Sequence, residues 1–475
     1  QRVEDRRVTL ALQPLPLLLL LALLATGRAG PVGACLAALA AAVPAAWVSL
    51  PAGDAPALPA LLADEVLRGA FLALQPVGVV AGGLLFHAAV SAGREEPGAA
   101  ARPATPARVF AVTLPLGAFL ESVTGFAVGA VFALTALRGM GIAGPVAAAL
   151  ALQALVLVPW GGLGPGTALG AALIAQPAQG IAQVAAWPSA AWLVLLAPLV
   201  WSLSRRAGVP VPGREKAVQA TMLAAMAMLL LAANWMLPFE VAGIAATGPV
   251  LALALWRADP PRDPATALRA AAPYLLLTAC LLAARSWPAA PAVRPFPELP
   301  ALPITHVAVV LWLVAGALLL RRPDGAARGG AALRRAARPA LAMLLYVVLG
   351  RVLAGGGIAA ALAGAAAAAL GPLAPYAVPP LGLIGGMITG SNVGANAALM
   401  PLQAQLGAAA GLPPLLAPGI HNFTGAAGAG MSVGVTAMIC ALLADGTRPG
   451  QVWRLLLPSM AIVVALGWAT IALLR

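Results

Sequence analysis

The chain of 475 residues alternates between long apolar runs and short polar connections. Most of these runs are roughly 16 to 22 residues long, which is the length that an α-helix needs to cross a bilayer. A β-barrel would instead show shorter segments in which apolar and polar residues alternate. The pattern therefore predicts an all-α polytopic membrane protein with about 12 to 14 transmembrane segments.

The predicted spans cover residues 8–26, 31–50, 68–91, 109–137, 187–203, 217–236, 240–256, 270–286, 303–320, 339–354, 357–372, 376–403, 412–444 and 453–474. The first of them resembles a signal peptide because it follows two arginines. No small-residue cleavage site comes before the next span, so we expect it to be a transmembrane helix.

Basic residues concentrate in the short connections and set the expected orientation. The connection 321–338 has six arginines, and the connections 92–108, 204–216 and 257–269 are also basic. The positive-inside rule places all four in the cytoplasm. The connector 51–67 carries acids and is expected to be external.

Composition narrows the class of protein further. The chain is 61% hydrophobic and 9% charged, more apolar than a soluble domain of this size requires. The net charge of +13 follows the loops between spans, so it indicates membrane orientation and not nucleic-acid binding. Three scattered cysteines in apolar runs give neither a disulfide framework nor a metal site, and we expect no cofactor.

One stretch combines polar and flexible residues inside an apolar run. Residues Gly117–Gly129 read GAFLESVTGFAVG and hold Glu121, Ser122, Thr124 and three glycines. An acid at bilayer depth is costly and normally marks a transport or proton path. The alternative is a tight helix-packing seam in which the glutamic acid is neutral and hydrogen-bonded.

Interrupted segments are predicted at three further places. Prolines and glycines in Pro159–Thr167 cannot form a continuous helix, so we expect a broken helix or a re-entrant turn there. Two polar stretches lie in later runs. They are GGMITGSNVGANAALM at Gly385–Met400 and HNFTGAAGAGMSVG at His421–Gly434.

Glycine spacing indicates an internal duplication. Gly117 and Gly125 flank Ser122 as Gly386 and Gly394 flank Ser391. The glycines at 161, 164, 166 and 170 repeat at 425, 428, 430 and 434. Duplicated halves with interrupted segments are typical of secondary transporters, whose site lies between the halves. We expect halves at about 60–203 and 321–475, joined by spans within 217–320.

The repeat also predicts a geometry. The segments around Ser122 and Ser391 should both be interrupted and should face each other. We expect the halves to be inverted by analogy with known transporters, although a simple count of spans favours a parallel arrangement.

The same stretches resemble the motifs of the L-lactate permease family. Gly117–Phe126 reads GAFLESVTGF, Gly390–Asn396 reads GSNVGAN and is followed by Leu402-Gln403, and Asn422–Gly425 reads NFTG. The resemblance runs from about residue 60 to the C-terminus. It implies a proton-coupled symporter of lactate, glycolate and similar short 2-hydroxy monocarboxylates.

The chain also departs from the family pattern. The segment after the third motif, Gly430–Val433, has no lysine where many members carry one. Val393 stands where a threonine is expected, and Gly394-Ala395 replaces a pair of serines. These losses leave the exact substrate open.

The candidate substrate and ion-binding residues are Glu121, Ser122, Thr124, Gly125, Ser391, Asn392, Asn396, His421, Asn422 and Thr424. Glu121 is the first candidate for the proton carrier, because burial favours the neutral form of a carboxyl group. His421 is the second, because an unperturbed imidazole has a pKa near ~6.5. Structural roles are the alternatives: an interfacial hydrogen bond for His421, helix-to-helix bonds for the asparagines and, for Arg351 at a span end, a snorkelling side chain.

Several functional alternatives stay open at this stage. A sodium-coupled symporter of another organic anion would use the hydroxyl and backbone groups near Ser391. An intramembrane enzyme is disfavoured because the sequence has no H-E-x-x-H motif and no paired intramembrane aspartates, and a passive channel is a further option. The expected partners are a small carboxylate, a coupling proton or Na⁺, and the lipid bilayer of the plasma membrane, with no nucleic acid. The oligomeric state is open.

Overall fold

The structure is a computed structural model that describes residues 11–50, 57–90, 103–125, 127–260, 263–287 and 289–475. Within these ranges it has eleven helices that are long and apolar enough to cross a membrane, and four shorter apolar helices. The prediction of an all-α polytopic membrane protein is confirmed. Parts of the predicted segments 8–26, 51–67 and 92–108 lie outside the described residues.

The helices are α1 Leu15–Ala25, α2 Pro31–Ser49, α3 Leu58–Val90, α4 Pro106–Thr124, α5 Val128–Gly139, α6 Gly144–Leu155, α7 Pro165–Leu173, α8 Ala178–Arg206, α9 Gly213–Met236, α10 Phe239–Ala258, α11 Pro264–Arg285, α12 Val307–Leu320, α13 Gly325–Gly355, α14 Ile358–Leu370, α15 Val378–Thr389, α16 Asn392–Ala409, α17 Leu416–Gly430, α18 Val433–Leu443 and α19 Pro449–Leu474. Two short antiparallel strands, β1 Ala292–Val293 and β2 Leu302–Pro303, form a small hairpin between α11 and α12.

Contacts between helix ends define two faces of the protein. At one face Arg257 pairs with Glu215, Arg108 pairs with Asp259, and the Gly144 N–H donates to Asp445. The arginine-rich ends of α8, α12 and α13 belong to this face, which the positive-inside rule assigns to the cytoplasm. Asp445 also accepts hydrogen bonds from Thr447, which hold the pKa of this carboxyl below its ordinary range.

Helices α4 and α5 form a re-entrant hairpin that opens to the cytoplasmic face. Pro106 at its start accepts a hydrogen bond from Gln219, and Arg138 at its end donates to the Leu442 carbonyl. The chain turns back beyond Gly125, which has a positive φ of +70°. Such a backbone conformation is easily reached only by glycine, which explains why the turn falls there.

The following segment crosses the membrane as a broken helix. Helix α6 begins at the cytoplasmic face and ends at Leu155, and α7 continues from Pro165 toward the opposite face. We call the intervening residues 156–164 the first break. They include a 3₁₀ turn at Val158–Leu163, and Gly162 and Gly164 both have positive φ. The predicted interruption at Pro159–Thr167 is therefore present.

The second half repeats this order with the opposite orientation. Helices α15 and α16 form a hairpin whose two ends meet near Leu412 and Leu416, beside Val378, in an apolar cluster at the extracellular face. Its turn lies at Gly390, which has φ +68°. Helices α17 and α18 then cross from the extracellular to the cytoplasmic face, and residues 431–432, the second break, interrupt them.

The two halves are consequently inverted relative to each other. Each has a hairpin followed by a broken helix, but the first hairpin opens to the cytoplasm and the second opens outward. The parallel arrangement that the span count favoured is wrong, because the predicted span 357–372 does not cross the membrane. It forms the short helix α14, and Ala363 of this helix packs in the same extracellular cluster as Val378 and Leu412. Counting this run as a crossing placed the start of the run 376–403 at the cytoplasmic face.

Other predicted boundaries also change. The span 68–91 begins earlier, at Leu58, and the basic connection 321–338 is mostly the first part of α13. Helices α3 and α13 pack closely along their length, with Gly69 against Val348. Near the extracellular end Arg351 pairs with Glu65 at 2.7 Å, and both side chains are largely buried. Arg351 is thus an interhelical ion-pair partner, not a snorkelling side chain.

Candidate functional site

Glu121 lies at the end of the first hairpin's inbound arm, buried at 3% exposure. Its Oε1 accepts a hydrogen bond of 3.4 Å from the N–H of Ala127 across the turn. Ala127 itself has φ +58°, an uncommon conformation for alanine that the turn imposes. Among the described residues, Oε2 of Glu121 has no hydrogen-bond partner. An acid with one unpartnered oxygen in a buried turn is suited to gaining and losing a proton.

Glycines from several elements bring backbone close to the arm that carries Glu121. A Cβ added to Gly161 in the first break would lie 3.4 Å from Glu121 Oε1, and one added to Gly125 would lie 3.1 Å from Gly162. The turn of the hairpin therefore rests directly on the first break. Small residues allow this approach of backbones within a membrane protein.

The two hydroxyls next to Glu121 are occupied locally. Ser122 Oγ donates to the Ala118 carbonyl at 2.8 Å, and Thr124 Oγ1 donates to the Leu120 carbonyl at 2.6 Å. Both bonds run to a backbone carbonyl four residues earlier. These hydroxyl protons are consequently engaged, although each oxygen can still accept.

Helix α10 packs closely against this arm at Gly243. A Cβ there would lie 2.6 Å from Ser122 Oγ and 2.9 Å from Trp160 Cβ, whereas one at Gly248 would meet only Phe119 at 3.7 Å.

We expect Gly243→Ala to destabilise the protein by about 1–3 kcal/mol through overpacking. Gly248→Ala on the same helix should be neutral or slightly stabilising, because alanine favours the helix. Thermal unfolding of both variants in detergent measures the difference, and equal melting temperatures would contradict this packing.

The second hairpin has a corresponding turn. Ser391 is the N-cap of α16, and its Oγ accepts from the Gly394 N–H at 3.4 Å. Ser432, in the second break, is fully buried and caps α18 by accepting from the Val435 N–H. A Cβ on Gly390 would lie 3.5 Å from Ser432 Oγ. Each hairpin turn therefore rests on the broken helix of its own half.

Three buried asparagines join the two halves. Asn422 Oδ1 accepts from Asn392 at 3.2 Å and from Asn396 at 2.9 Å, and its own amide donates to Thr167 Oγ1 at 2.9 Å. Asn396 also donates to the Gly166 carbonyl at 2.9 Å. The asparagine cluster, meaning Asn392, Asn396, Asn422 and Thr167, thus ties α16 and α17 to the start of α7.

This cluster connects toward Glu121 through the first break. Thr167 donates to the Pro159 carbonyl at 2.7 Å, and Gly161 in the same segment packs on Glu121. The segments of Ser122 and Ser391 are both interrupted, and both contact the stretch 159–167, since Glu121 packs on Gly161 and Asn392 packs on Gly166. Oδ1 of Asn392 and Oδ1 of Asn396 have no hydrogen-bond partner within the described part of the chain.

His421 and Thr424 occupy a different side of α17, facing α15. Both pack against Gly382, and Thr424 Oγ1 donates to the Ile420 carbonyl at 2.9 Å. His421 is fully buried, and its Nε2 lies 3.3 Å from the Ala395 carbonyl. When the Gln403 amide turns its oxygen toward the ring, that oxygen accepts from Nδ1 at 3.0 Å. An oxygen acceptor therefore lies next to each ring nitrogen, whichever of the two carries the proton.

Four half-helices begin at the breaks and turns in the interior of the protein. They are α5, α7, α16 and α18, and two of them run to each face. The N-terminus of a helix carries partial positive charge and free N–H groups, so four such ends can hold an anion without a basic side chain. The sequence has neither lysine nor arginine in 117–137, 156–175, 389–409 or 416–434. The missing family lysine is compatible with this way of holding a carboxylate.

Sequence reasoning missed two polar residues of this region, Thr167 and Ser432. Thr167 stood in the predicted interrupted stretch but had no polar neighbour nearby in sequence. Ser432 lies at the end of a run of glycines. That segment stood out in the sequence only because it lacks the lysine of many family members. The repeat contained the signal, because both residues lie at the two aligned interruptions.

Comparison with known proteins agrees with the sequence motifs. Residues 304–474 match the family model of L-lactate permease, which confirms the expected family on the C-terminal part of the chain. This matched region contains the second hairpin and the second broken helix. No curated protein matches the chain.

Proposed function

We propose that this polytopic membrane protein, whose C-terminal part matches the L-lactate permease family, is a proton-coupled symporter in the plasma membrane. The proposed substrates are lactate, glycolate or a similar short 2-hydroxy monocarboxylate. The observation that carries the proposal is the position of Glu121. It is a buried acid at a hairpin turn that rests on a broken helix, and one of its oxygens has no partner among the described residues.

The substrate carboxylate would bind among the half-helix N-termini and the asparagine cluster. Amide donors of Asn392 and Asn396 already converge on one oxygen, that of Asn422, which shows that they are aimed at a common point. A carboxylate oxygen is a stronger acceptor than an amide oxygen and would compete for these donors. A 2-hydroxyl group could donate to Oδ1 of Asn392 or Asn396.

Glu121 would couple the proton to this movement. A carboxylate in a low-dielectric site is costly, so Glu121 would be protonated when the site is closed to water. Opening toward the cytoplasm would hydrate the turn and release the proton. The inverted halves supply two related states in which the site opens first to one face and then to the other.

A sodium-coupled symporter of another organic anion is the second candidate. The observation that favours it is the buried Ser432 hydroxyl, which lies next to the turn at Gly390, where the Thr389 hydroxyl donates to the Ser391 carbonyl. Hard cations such as Na⁺ bind oxygen ligands of this kind.

Transport by the full chain in proteoliposomes tests the proposal. We expect counterflow with labelled L-lactate to be accelerated by internal lactate or glycolate, and much less by dicarboxylates. An inward proton gradient should drive accumulation that a protonophore abolishes. Replacing Na⁺ by choline should leave the rate unchanged. A requirement for Na⁺ would favour the second candidate, and the absence of counterflow with any short monocarboxylate would contradict the substrate class.

A further inference from the structure

A small cavity, lined mostly by apolar side chains and by three polar ones, lies at the extracellular end, apart from the asparagine cluster. Its walls come from the middle of α3, from Leu163 to Leu169, and from the starts of α10 and α12. The polar side chains that line it are Gln75, Glu240 and His306. Four separate elements thus converge on one concave surface below the β1–β2 hairpin.

Glu240 is the acid of this outer cavity. It is 8% exposed, and its Oε1 forms an ion pair with the Arg285 guanidinium. Oε2 has no hydrogen-bond partner among the described residues. A buried carboxylate that is satisfied on one oxygen only is costly to keep ionised. It is therefore a group that would accept a proton if Arg285 found another anionic partner.

Arg285 does not line the cavity itself but pairs with Glu240 at its edge, and its side chain is accessible from outside. It is the last residue of α11, and its side chain is 51% exposed although it pairs with the buried Glu240. An arginine in this position can contact an anion from solution and the acid inside the cavity at once. Its planar guanidinium suits bidentate binding of a carboxylate.

The neutral polar side chains of the cavity, His306 and Gln75, hold the surrounding chain in place by hydrogen bonds. His306 caps α12 by accepting from the Ala308 N–H with Nδ1, so in the neutral ring the proton is on Nε2. Gln75 donates to the carbonyl of Pro300, which fixes the chain just before β2 over the cavity. Among the described residues, the charged and titratable groups facing Glu240 are Arg285 and His306.

The floor of the cavity is the outer side of the first break. Leu163 and Pro165 line it, and the Phe239 ring lies 2.7 Å from the position of a Cβ on Gly164. Gly161 on the same break packs against Glu121. Movement of this one segment would connect the outer cavity with the region of Glu121.

We propose that this outer cavity is a docking site for the substrate carboxylate, in which Arg285 exchanges Glu240 for the substrate. The substrate carboxylate pairs with Arg285, and Glu240 takes up a proton from the external solution to become a neutral acid. One anion and one proton are then held together at the outer side of the first break. This inference rests on the proposed function, because it assigns the same substrate class to the cavity.

Initial uptake of labelled L-lactate by cells that express the full chain tests the docking site. Arg285→Gln should raise the external KM about tenfold, since a charge-assisted contact is lost, while the maximal rate changes little. Glu240→Gln imitates the protonated acid and should lower the external KM at neutral pH to the wild-type value in acid. It should also remove the dependence of KM on external pH. The KM for efflux from the cytoplasmic side should stay unchanged in both variants.

Arg294→Gln is the matched control, because it removes an external arginine of the β1–β2 hairpin that donates to the Pro297 carbonyl and not to Glu240. Its KM should equal that of the wild type. The double variant Glu240→Gln/Arg285→Gln removes the pair without leaving one charge alone. It should show the raised KM without pH dependence, even if Arg285→Gln accumulates poorly in the membrane.

The outcomes separate the two proposals. An unchanged external KM in both Arg285→Gln and the double variant would overturn the docking site and leave the transport function standing. An equal rise of KM from both faces would also overturn it, because the cavity lies at one face only. A wild-type protein that transports no short monocarboxylate would overturn the proposed function, and the docking site with it.

Discussion

Glu121→Gln should abolish accumulation of substrate against a gradient while exchange of substrate across the membrane continues. Glutamine imitates the permanently protonated acid, and its Oε1 can still accept from the Ala127 N–H. Exchange needs no net loss of the proton, so it should proceed at a rate within about tenfold of the wild type. Accumulation requires the empty carrier to release its proton, which glutamine cannot do. Counterflow and gradient-driven uptake in the same proteoliposomes measure the two properties separately.

Glu121→Ala provides the contrast to this substitution. It removes the proton site, but it also removes the hydrogen bond to Ala127 and leaves a cavity beside Gly161. The loss of stability should be about 1–3 kcal/mol larger than for glutamine, and exchange should fall as well. If Glu121→Gln concentrates substrate as well as the wild type does, Glu121 is a packing residue. The proton path would then have to be sought at His421, with Gln403 and the Ala395 carbonyl as its acceptors.

The sequence predicted those features of the architecture that depend only on residues close together in the chain. Long apolar runs predict spans, and prolines with glycines at Pro159–Thr167 predict a break whatever surrounds them. The recurrence of glycines around Ser122 and Ser391 indicated two related halves. A tight turn and a close contact between helices both require glycine, because a side chain would not fit there. The glycine positions therefore recur in the two halves, and they make the repeat detectable in the sequence.

The inverted orientation could not be derived from the same runs. The hairpins α4–α5 and α15–α16 each contain enough apolar residues to resemble one or two crossings. Whether such a run turns back depends on what covers its turn, and here the cover is the broken helix of the same half. Gly125 meets Gly162, and Gly390 meets Ser432. These contacts join residues 37 or more positions apart, so no local pattern contains them.

The grouping of polar residues was predicted only in part. Asn392, Asn396 and Asn422 were expected to share a site, and the structure brings them together. His421 and Thr424 were candidates for the same site as Glu121, yet they lie on the side of α17 that faces α15, together with Gln403. Residues one or two positions apart on a helix point in different directions, so His421 and Asn422 cannot both face the first break. Whether these residues bind substrate stays a prediction.

Asn422→Leu should reduce exchange by at least about a hundredfold, the largest effect that we expect from a neutral substitution. Leucine has nearly the same size but removes the oxygen that accepts from Asn392 and Asn396. It also removes the amide that donates to Thr167. Each buried polar group left without a partner costs about 1–3 kcal/mol, so the melting temperature should fall too. Asn422→Asp keeps one acceptor oxygen but adds a negative charge, and should raise the KM for a carboxylate substrate strongly.

Gln219→Leu separates an effect on the site from an effect on stability. Gln219 is also a buried amide that joins elements, accepting from Trp201 and donating to the Pro106 carbonyl, but it lies at the cytoplasmic face. We expect it to lower the melting temperature about as much as Asn422→Leu does, while the substrate KM and the exchange rate per folded molecule stay near wild type. Thermal unfolding and counterflow on the same preparations provide the comparison. If both variants lose exchange only in proportion to their loss of folded protein, the asparagine cluster joins the halves without contacting substrate. The anion would then have to be held by the half-helix N-termini alone.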